Sequence, residues 1–199
     1  MENLIIRLEE EQDYLETEAV ARAAFYRPER IDSIGVGCAE PYMIHMLRGK
    51  DGIKELNFVA TLDDRIVGHI IYSHSYVQNE DGTELATLNM GPLSVLPAYQ
   101  KQGIGSALMR HSMAKAKELG YGAILFFGHE NYYPRFGFVD AEKYRITDKW
   151  GGNYPSFFAY ELKEGYLKKA KGKYIESDLY DEEITKGPAK EFEEALYKH

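Results

Sequence analysis

The stretch from Leu85 to Phe127 narrows the possible folds more than any other part of the chain. An apolar extended run, Leu85 to Val95, leads through a glycine-punctuated turn into a helical pattern from Gly103 to Leu119, stopped at Gly120. The continuous apolar run Ala123-Ile124-Leu125-Phe126-Phe127 follows, as a strand covered on both faces requires. Strand, helix and strand in that order make a right-handed crossover between parallel strands. Gly91-Pro92 interrupts the first strand. Proline cannot donate to a ladder, so the strand must bulge there, lie at an edge or part from a neighbour.

The flanking sequence supplies more of the same sheet and its cover. Leu4-Ile5-Ile6 reads as a strand, residues 10 to 25 as a helix, and residues 39 to 48 as a shorter helix with Pro41 near its start and Gly49 past its end. RPERIDSIGVG between them reads as a loop. Leu56 to Leu62, the turn Asp63-Asp64 and Arg65 to Tyr72 form a hairpin, Asp81-Gly82 marks a second turn, and Phe157 to Leu162 is a last strand. From residue 163 on, charges and tyrosines dominate. Phe192 and Leu196 lie one helical turn apart after Pro188, which predicts a short amphipathic terminal helix. The expected architecture is mixed α/β (α+β), with a central twisted mixed sheet of six to seven strands flanked by helices. Residues 1–162 form the domain, and 163–199 an extension packed on it or on a partner subunit.

Several classes of function are disfavoured by composition. Of 199 residues, 24 are Lys or Arg and 32 Asp or Glu, a net charge of -8 that repels a phosphate backbone, so no nucleic-acid partner is expected. The densest basic run, Lys168-Lys169-Ala170-Lys171-Gly172-Lys173, reads as a solvated turn. Cys38 is the single cysteine, so an internal disulfide and a multi-cysteine zinc site are out, and no metal is expected. MENLIIRLEEEQ lacks the pattern of a signal peptide, and no apolar run has the length of a membrane span, so a cytoplasmic protein with no membrane partner is expected.

The glycine turn itself, Tyr99-Gln100-Lys101-Gln102-Gly103-Ile104-Gly105-Ser106, suggests a phosphate site. A dinucleotide fingerprint would need glycine where Leu108 stands, and a nucleoside-triphosphate loop would need a lysine before a serine or threonine after the last glycine; both fail. What remains is a helix N-terminus whose first amides, from 101 to 106, have no helical acceptor and whose dipole favours an anion. Glycines at 103 and 105 let a bulky diphosphate approach the backbone.

Val95-Leu96-Pro97-Ala98-Tyr99-Gln100-Lys101-Gln102-Gly103-Ile104-Gly105-Ser106-Ala107-Leu108 resembles the acetyl-coenzyme A motif of the GNAT superfamily of N-acetyltransferases, with its core of glutamine or arginine, two variable residues, glycine, any residue, and glycine or alanine. Asn131-Tyr132-Tyr133-Pro134-Arg135-Phe136-Gly137-Phe138 is similar to that family's tyrosine-x-x-x-glycine-phenylalanine segment, in the expected order and separation. The resemblance covers residues 3 to 162. It implies a GNAT-like acyl-CoA N-acyltransferase fold with a splayed strand pair, acetyl-CoA as co-substrate, and direct attack by a primary amine of a small molecule or protein in a ternary complex.

By the same resemblance the amide of Leu93 faces the acetyl oxygen and that of Val95 the pantetheine. Gln100, Lys101, Gln102, Gly103, Ile104, Gly105 and Ser106 hold the pyrophosphate, with Asn131 as a further cofactor contact in a shortened loop. Tyr133 matches the tyrosine that protonates the departing thiolate; an ordinary phenol, with pKa near 10, still holds that proton at neutral pH.

Asn89 and Gly91 stand where several family members carry a glutamate or histidine base. His129 and Glu130 are candidate bases, or Asn89 orders a water in a relay. His69 and His74 face opposite sides of one strand, and His111 reads as a core residue of the motif helix. Cys38, far in sequence from the motif, implies no covalent acetyl-enzyme. A non-catalytic acyl-CoA binding or sensing module is the alternative, and a homodimer through the tail is possible.

Overall fold

The structure, a computed structural model, describes residues 3–197. Along the chain lie β1 (Leu4–Leu8), α1 (Tyr14–Phe25), α2 (Ile31–Ile34), α3 (Glu40–Gly49), β2 (Phe58–Leu62), β3 (Arg65–Asn79), β4 (Glu84–Val95) and α4 (Ile104–Glu118). β5 (Ala123–Phe127), β6 (Val139–Asp140), β7 (Ile146–Thr147), β8 (Phe157–Glu161), β9 (Gly172–Ile175) and α5 (Glu182–Tyr197) follow. Two compact units form, each discontinuous in sequence, with β3, β4 and α4 running through both. Among the described residues no helix is long and apolar enough to cross a membrane.

The first unit takes the chain up to Ile71, Pro92–Ser112 and the residues from Ser177 on. β1 pairs antiparallel with β2, and β2 with the first part of β3, Phe58 opposite Ile70, with a bulge between Ala60 and Thr61. Ala21 of α1, Ile44 and Leu47 of α3, Ile71 and Leu179 form one buried cluster. α5 joins this face through Phe192, whose ring meets those of Tyr42 (5.8 Å) and His45 (5.0 Å), and through Glu193, 2.7 Å from Arg22. The terminal helix begins at Glu182 rather than after Pro188: Asp181 accepts from the Glu183 amide at 3.1 Å, and the helix continues through the proline with Ala189 buried behind it. Such packing outweighs the lost backbone bond. The loop expected at 27–37 also contains helical turns, at Pro28–Arg30 and in α2, and is closed by Arg27 N–H donating to Gly37 O at 3.0 Å.

A charged network lies inside this unit. Arg48 donates to both oxygens of Glu9 (2.9 and 2.7 Å) and to Glu18, and its guanidinium lies 4.0 Å over the Tyr14 ring. Asn57 Nδ2 donates to Glu9 at 2.5 Å, which leaves its Oδ1 to accept from His69 Nε2 at 2.6 Å. That bond fixes the Nε2–H tautomer of His69, while Nδ1 is buried with no hydrogen-bond partner. Burial, only partly opposed by Glu9, lowers the His69 pKa to about 4. The unfolded chain therefore binds this proton near pH 6.5 and the folded chain only near 4, so stability falls as pH drops through that interval, by about 3 kcal/mol. Urea titrations at pH 7 and 4.5 are expected to show that loss, with a smaller one in His69→Gln; equal losses would assign the acid sensitivity elsewhere.

The second unit comprises Tyr72–Gly91 and Met113–Glu176. Its strand order is β3-β4-β5-β8-β6, with β9 antiparallel to the far end of β3 and parallel to β7. β5 pairs with β8 over all five of its residues, from Ala123 with Glu161 to Phe127 with Phe157, whereas β4 meets β5 in parallel at Leu88 and Ile124. The βαβ crossover is as expected, and the parallel β4–β5 pairing of Leu88 with Ile124 lies ahead of the Gly91-Pro92 step. The mixed sheet gains β6, β7 and β9 over the six strands read from apolar runs; two of these are two residues long and the third has one buried residue, Tyr174. Val77, Leu125, Ile146, Phe157 and Tyr174 are among the core of this unit.

Two histidines test the expectations of face. His69 is fully buried and His74 exposed, as their odd spacing on β3 demands. His111 does not take the core role expected of it: it is exposed, edge-on to Phe58 at 4.8 Å, because the buried stripe of α4 runs through Ile104, Leu108, Met109, Ser112 and Ala116.

Candidate functional site

The residues expected to act fall into two groups, one in each unit. In the first unit, Leu93 and Val95 are half-buried, and the buried Ser94 between them turns to the other side of β4, so 93 and 95 share a face. A short turn at Pro97–Tyr99 then leads into the glycine segment. Gln100 Nε2 donates to Val95 O and Gln102 Nε2 to Ala98 O, each at 3.0 Å, so both side chains brace the loop itself. Lys101 (φ 60°) and Gly103 (φ 90°) are left-handed, two such residues within three positions of the chain. At 103 that conformation favours glycine.

The first backbone bond of α4 is Ala107 N–H to Gly103 O at 2.9 Å. The amides ahead of it therefore have no helical acceptor. Ile104 and Leu108, both buried, anchor this helix end. Gly68 of β3 makes that approach possible: a Cβ there would lie 3.1 Å from Leu108 Cδ1, 3.2 Å from Ile104 Cγ2 and 3.1 Å from Ser94 O. Gln100, Lys101, Gln102 and Gly103 are exposed, while Gly105 and Ser106 are half-buried.

In the second unit, Tyr133 opens a helical turn, Tyr133–Phe136, that ends on the left-handed Gly137. Its ring packs edge-on against Phe126 (4.6 Å) and Tyr132 (5.1 Å) and lies 5.7 Å from Phe158. Burial, assisted by Tyr132, raises the Tyr133 pKa well above the ordinary phenol value, so this hydroxyl keeps its proton. Gly128 provides the room for the ring, since a Cβ there would stand 2.3 Å from Tyr133 Cε2. No motif in the sequence marks Gly128.

His129, Glu130 and Asn131 follow on the surface, all exposed. The His129 carbonyl accepts from the Tyr132 amide at 3.0 Å and the Asn131 carbonyl from Arg135 at 3.1 Å. Asn89, by contrast, is buried, and its Nδ2 donates to Glu176 Oε2 at 2.6 Å, a pairing that no local sequence pattern announces. Burial pushes the Cys38 thiol up to about 12, so it stays protonated at neutral pH. Among the described residues no group of three or more His, Cys, Asp or Glu is placed to hold a metal ion.

Residues 54–140 match the family model described as an acetyltransferase (GNAT) domain. The Escherichia coli K12 protein named uncharacterized N-acetyltransferase YhbS is 33% identical over 135 residues, 67% of this chain and 78% of that one. Its family is also met among solved structures. A crystal structure of YhbS from Escherichia coli in complex with CoA superimposes with a TM-score of 0.76 at 25% identity, covering 90% of this chain and 92% of that one. A Brucella melitensis GNAT family acetyltransferase in complex with acetyl-CoA gives 0.68 at 26%, covering 91% and 100%. The chain belongs to the GNAT family of acyl-CoA dependent N-acetyltransferases.

Proposed function

We propose that this chain moves an acetyl group from acetyl-CoA to a primary amine by direct attack in a ternary complex. The observation that carries the reading is the left-handed pair Lys101 and Gly103 leading into α4, whose first amides have no helical acceptor. Backbone amides from 101 to 106 take the pyrophosphate, while Gln100 and Gln102 act by shaping the loop. The amide of Leu93 receives the acetyl oxygen and that of Val95 the pantetheine, with Asn131 as a further cofactor contact. The coenzyme-bound state of the two relatives supports acetyl-CoA as donor.

In this reading Tyr133 gives its proton to the leaving thiolate. Gly128→Ala is expected to displace its ring and lower kcat by about 10-fold or more, a displacement of an ångström being able to cost about 100-fold. Coenzyme affinity, set by other residues, should stay within about twofold of the parent by calorimetry; an unchanged kcat would show that the ring tolerates the extra methyl.

The direct test is release of free thiol from acetyl-CoA in the presence of a broad panel of primary amines. Release above the hydrolytic background supports transfer. Tight coenzyme binding with no release on any amine would favour a second reading, a coenzyme-binding module, which Asn89 and Gly91 at the expected base positions keep open. Residues 1–162 are proposed as the acetyltransferase domain and 163–199 as an extension of it; sedimentation of the full chain and of one ending at 162 tests both that boundary and a homodimer.

A further inference from the structure

The basic run at 168–173 is more than the solvated turn its sequence suggests, because its end enters β9, which pairs in parallel with β7, Ile146 opposite Gly172 and Thr147 opposite Lys173. Side chains alternate between the two faces of a strand, and Ile146 and Tyr174 are buried, so Thr147 and Lys173 lie on the outer face. Arg145 and Lys171, the residues just ahead of this pairing, are exposed like Lys173. Gly172 N–H donates to Arg145 O at 3.3 Å, which holds the two segments side by side. Cations from separate parts of the sequence are thus gathered on one strand pair. Lys171 has Glu80 at 2.6 Å, whereas Arg145 and Lys173 have no ion pair among the described residues. Like charges on neighbouring strands repel, and an anion placed between them reverses the sign.

The chain's one tryptophan follows directly on β7. Asp148 accepts from the amides of Trp150 at 2.9 Å and Gly152 at 2.6 Å, and its own amide donates to Gly152 O at 2.9 Å. Asp148 is buried, while Trp150 is 74% exposed with Lys149 Nζ 4.4 Å from its ring centroid. Three hydrogen bonds hold the backbone of this turn, so covering the indole costs little further ordering. A tryptophan presented on a fixed turn and edged by cations is the kind of anchor on which interfaces concentrate their binding energy.

We propose that this face docks an acidic segment of a partner protein, with carboxylates on Arg145 and Lys173 and a large apolar side chain on Trp150. The charge balance favours a short segment over an extended polyanion. Screening limits the reach of each cation to about 8 Å, so a short acidic stretch meets the patch alone, whereas a membrane surface or a nucleic-acid duplex also meets the rest of a molecule of net charge -8. Docking of this kind needs neither coenzyme nor turnover.

Trp150 reports its own occupancy, since the chain has no other tryptophan. The probe is the end-capped peptide Glu-Glu-Leu-Glu-Glu-Leu-Glu-Glu, titrated into the full chain. It should move the tryptophan emission to the blue with saturation, and its affinity should fall about threefold or more as salt rises from about 0.05 to 0.3 M. Arg145→Glu combined with Lys173→Glu should weaken binding about 10-fold or more; should that variant not fold, Arg145→Gln with Lys173→Gln should weaken it about threefold. No emission shift up to about 1 mM peptide, or an affinity unchanged by either pair of substitutions, overturns the proposal. Equal binding of the same peptide with lysine in place of glutamate does so as well, because charge would then not be what is recognised. If phosphatidylserine vesicles or a DNA duplex shift the emission and the peptide does not, the occupant is an extended polyanion and the acidic segment is wrong. A blue shift on raising the protein concentration alone would put a second copy of this chain on the face instead.

Discussion

Tyr133→Phe should lower kcat about 100-fold or more and leave coenzyme affinity within about twofold, the range expected when a positioned proton donor is removed. The substitution isolates the hydroxyl, because the ring contacts with Phe126, Tyr132 and Phe158 are all made by carbon and survive in phenylalanine. Its pKa is raised by burial, so the donor form persists beyond the ordinary phenol value of about 10 and no alkaline loss of rate below that pH should trace to Tyr133. Single-turnover thiol release measures the chemical step, and calorimetry with CoA the binding. A variant retaining kcat within threefold would make Tyr133 a packing residue and leave the thiolate to take its proton from water.

How far such a site is legible in sequence depends on how local its determinants are. The loop from Gln100 to Ser106 can be read because its two requirements, glycine at a left-handed position and a helix starting just after it, are written in adjacent residues. Tyr133 can be read because of its fixed distance from Gly137-Phe138. Gly128 escapes notice because its need is steric and comes from a ring five residues away, with no unusual φ to betray it. The Asn89–Glu176 pair escapes for a different reason: 87 residues separate its members, and they meet only because β9 adds to β3. β9 itself is short and has one buried residue, so it carries no periodicity, and the basic residues around it read as a solvated turn. The terminal helix could be detected from Phe192 and Leu196, but its true start lies before Pro188, where a cap and tertiary contacts outweigh local propensity.

Arg48→Ala should destabilise the fold by about 3–5 kcal/mol, which for a chain of this size lowers the melting midpoint by about 10 °C. Arg48 is 7% exposed, and the carboxylates it serves, Glu9 and Glu18, are 0% and 2%. Burial by itself would raise the Glu9 pKa; the hydrogen bonds and charge of Arg48 reverse that, and the carboxyl titrates below its ordinary value. Glu9 therefore contributes stability above its unfolded pKa that is lost as pH falls through the folded one. Without Arg48 the two carboxylates keep Asn57 and His45 as hydrogen-bonding side chains but lose their buried cation, and at neutral pH one of them must stay charged with less compensation or take up a proton. The cost should thus come from stranded charge more than from lost attraction, and a second variant separates the two. Arg48→Met combined with Glu9→Gln and Glu18→Gln removes the charges together and should recover more than half of the loss in a urea titration at pH 7. If the triple variant is as unstable as Arg48→Ala, the network stabilises the fold by its hydrogen-bond geometry, and the charge on Arg48 is incidental.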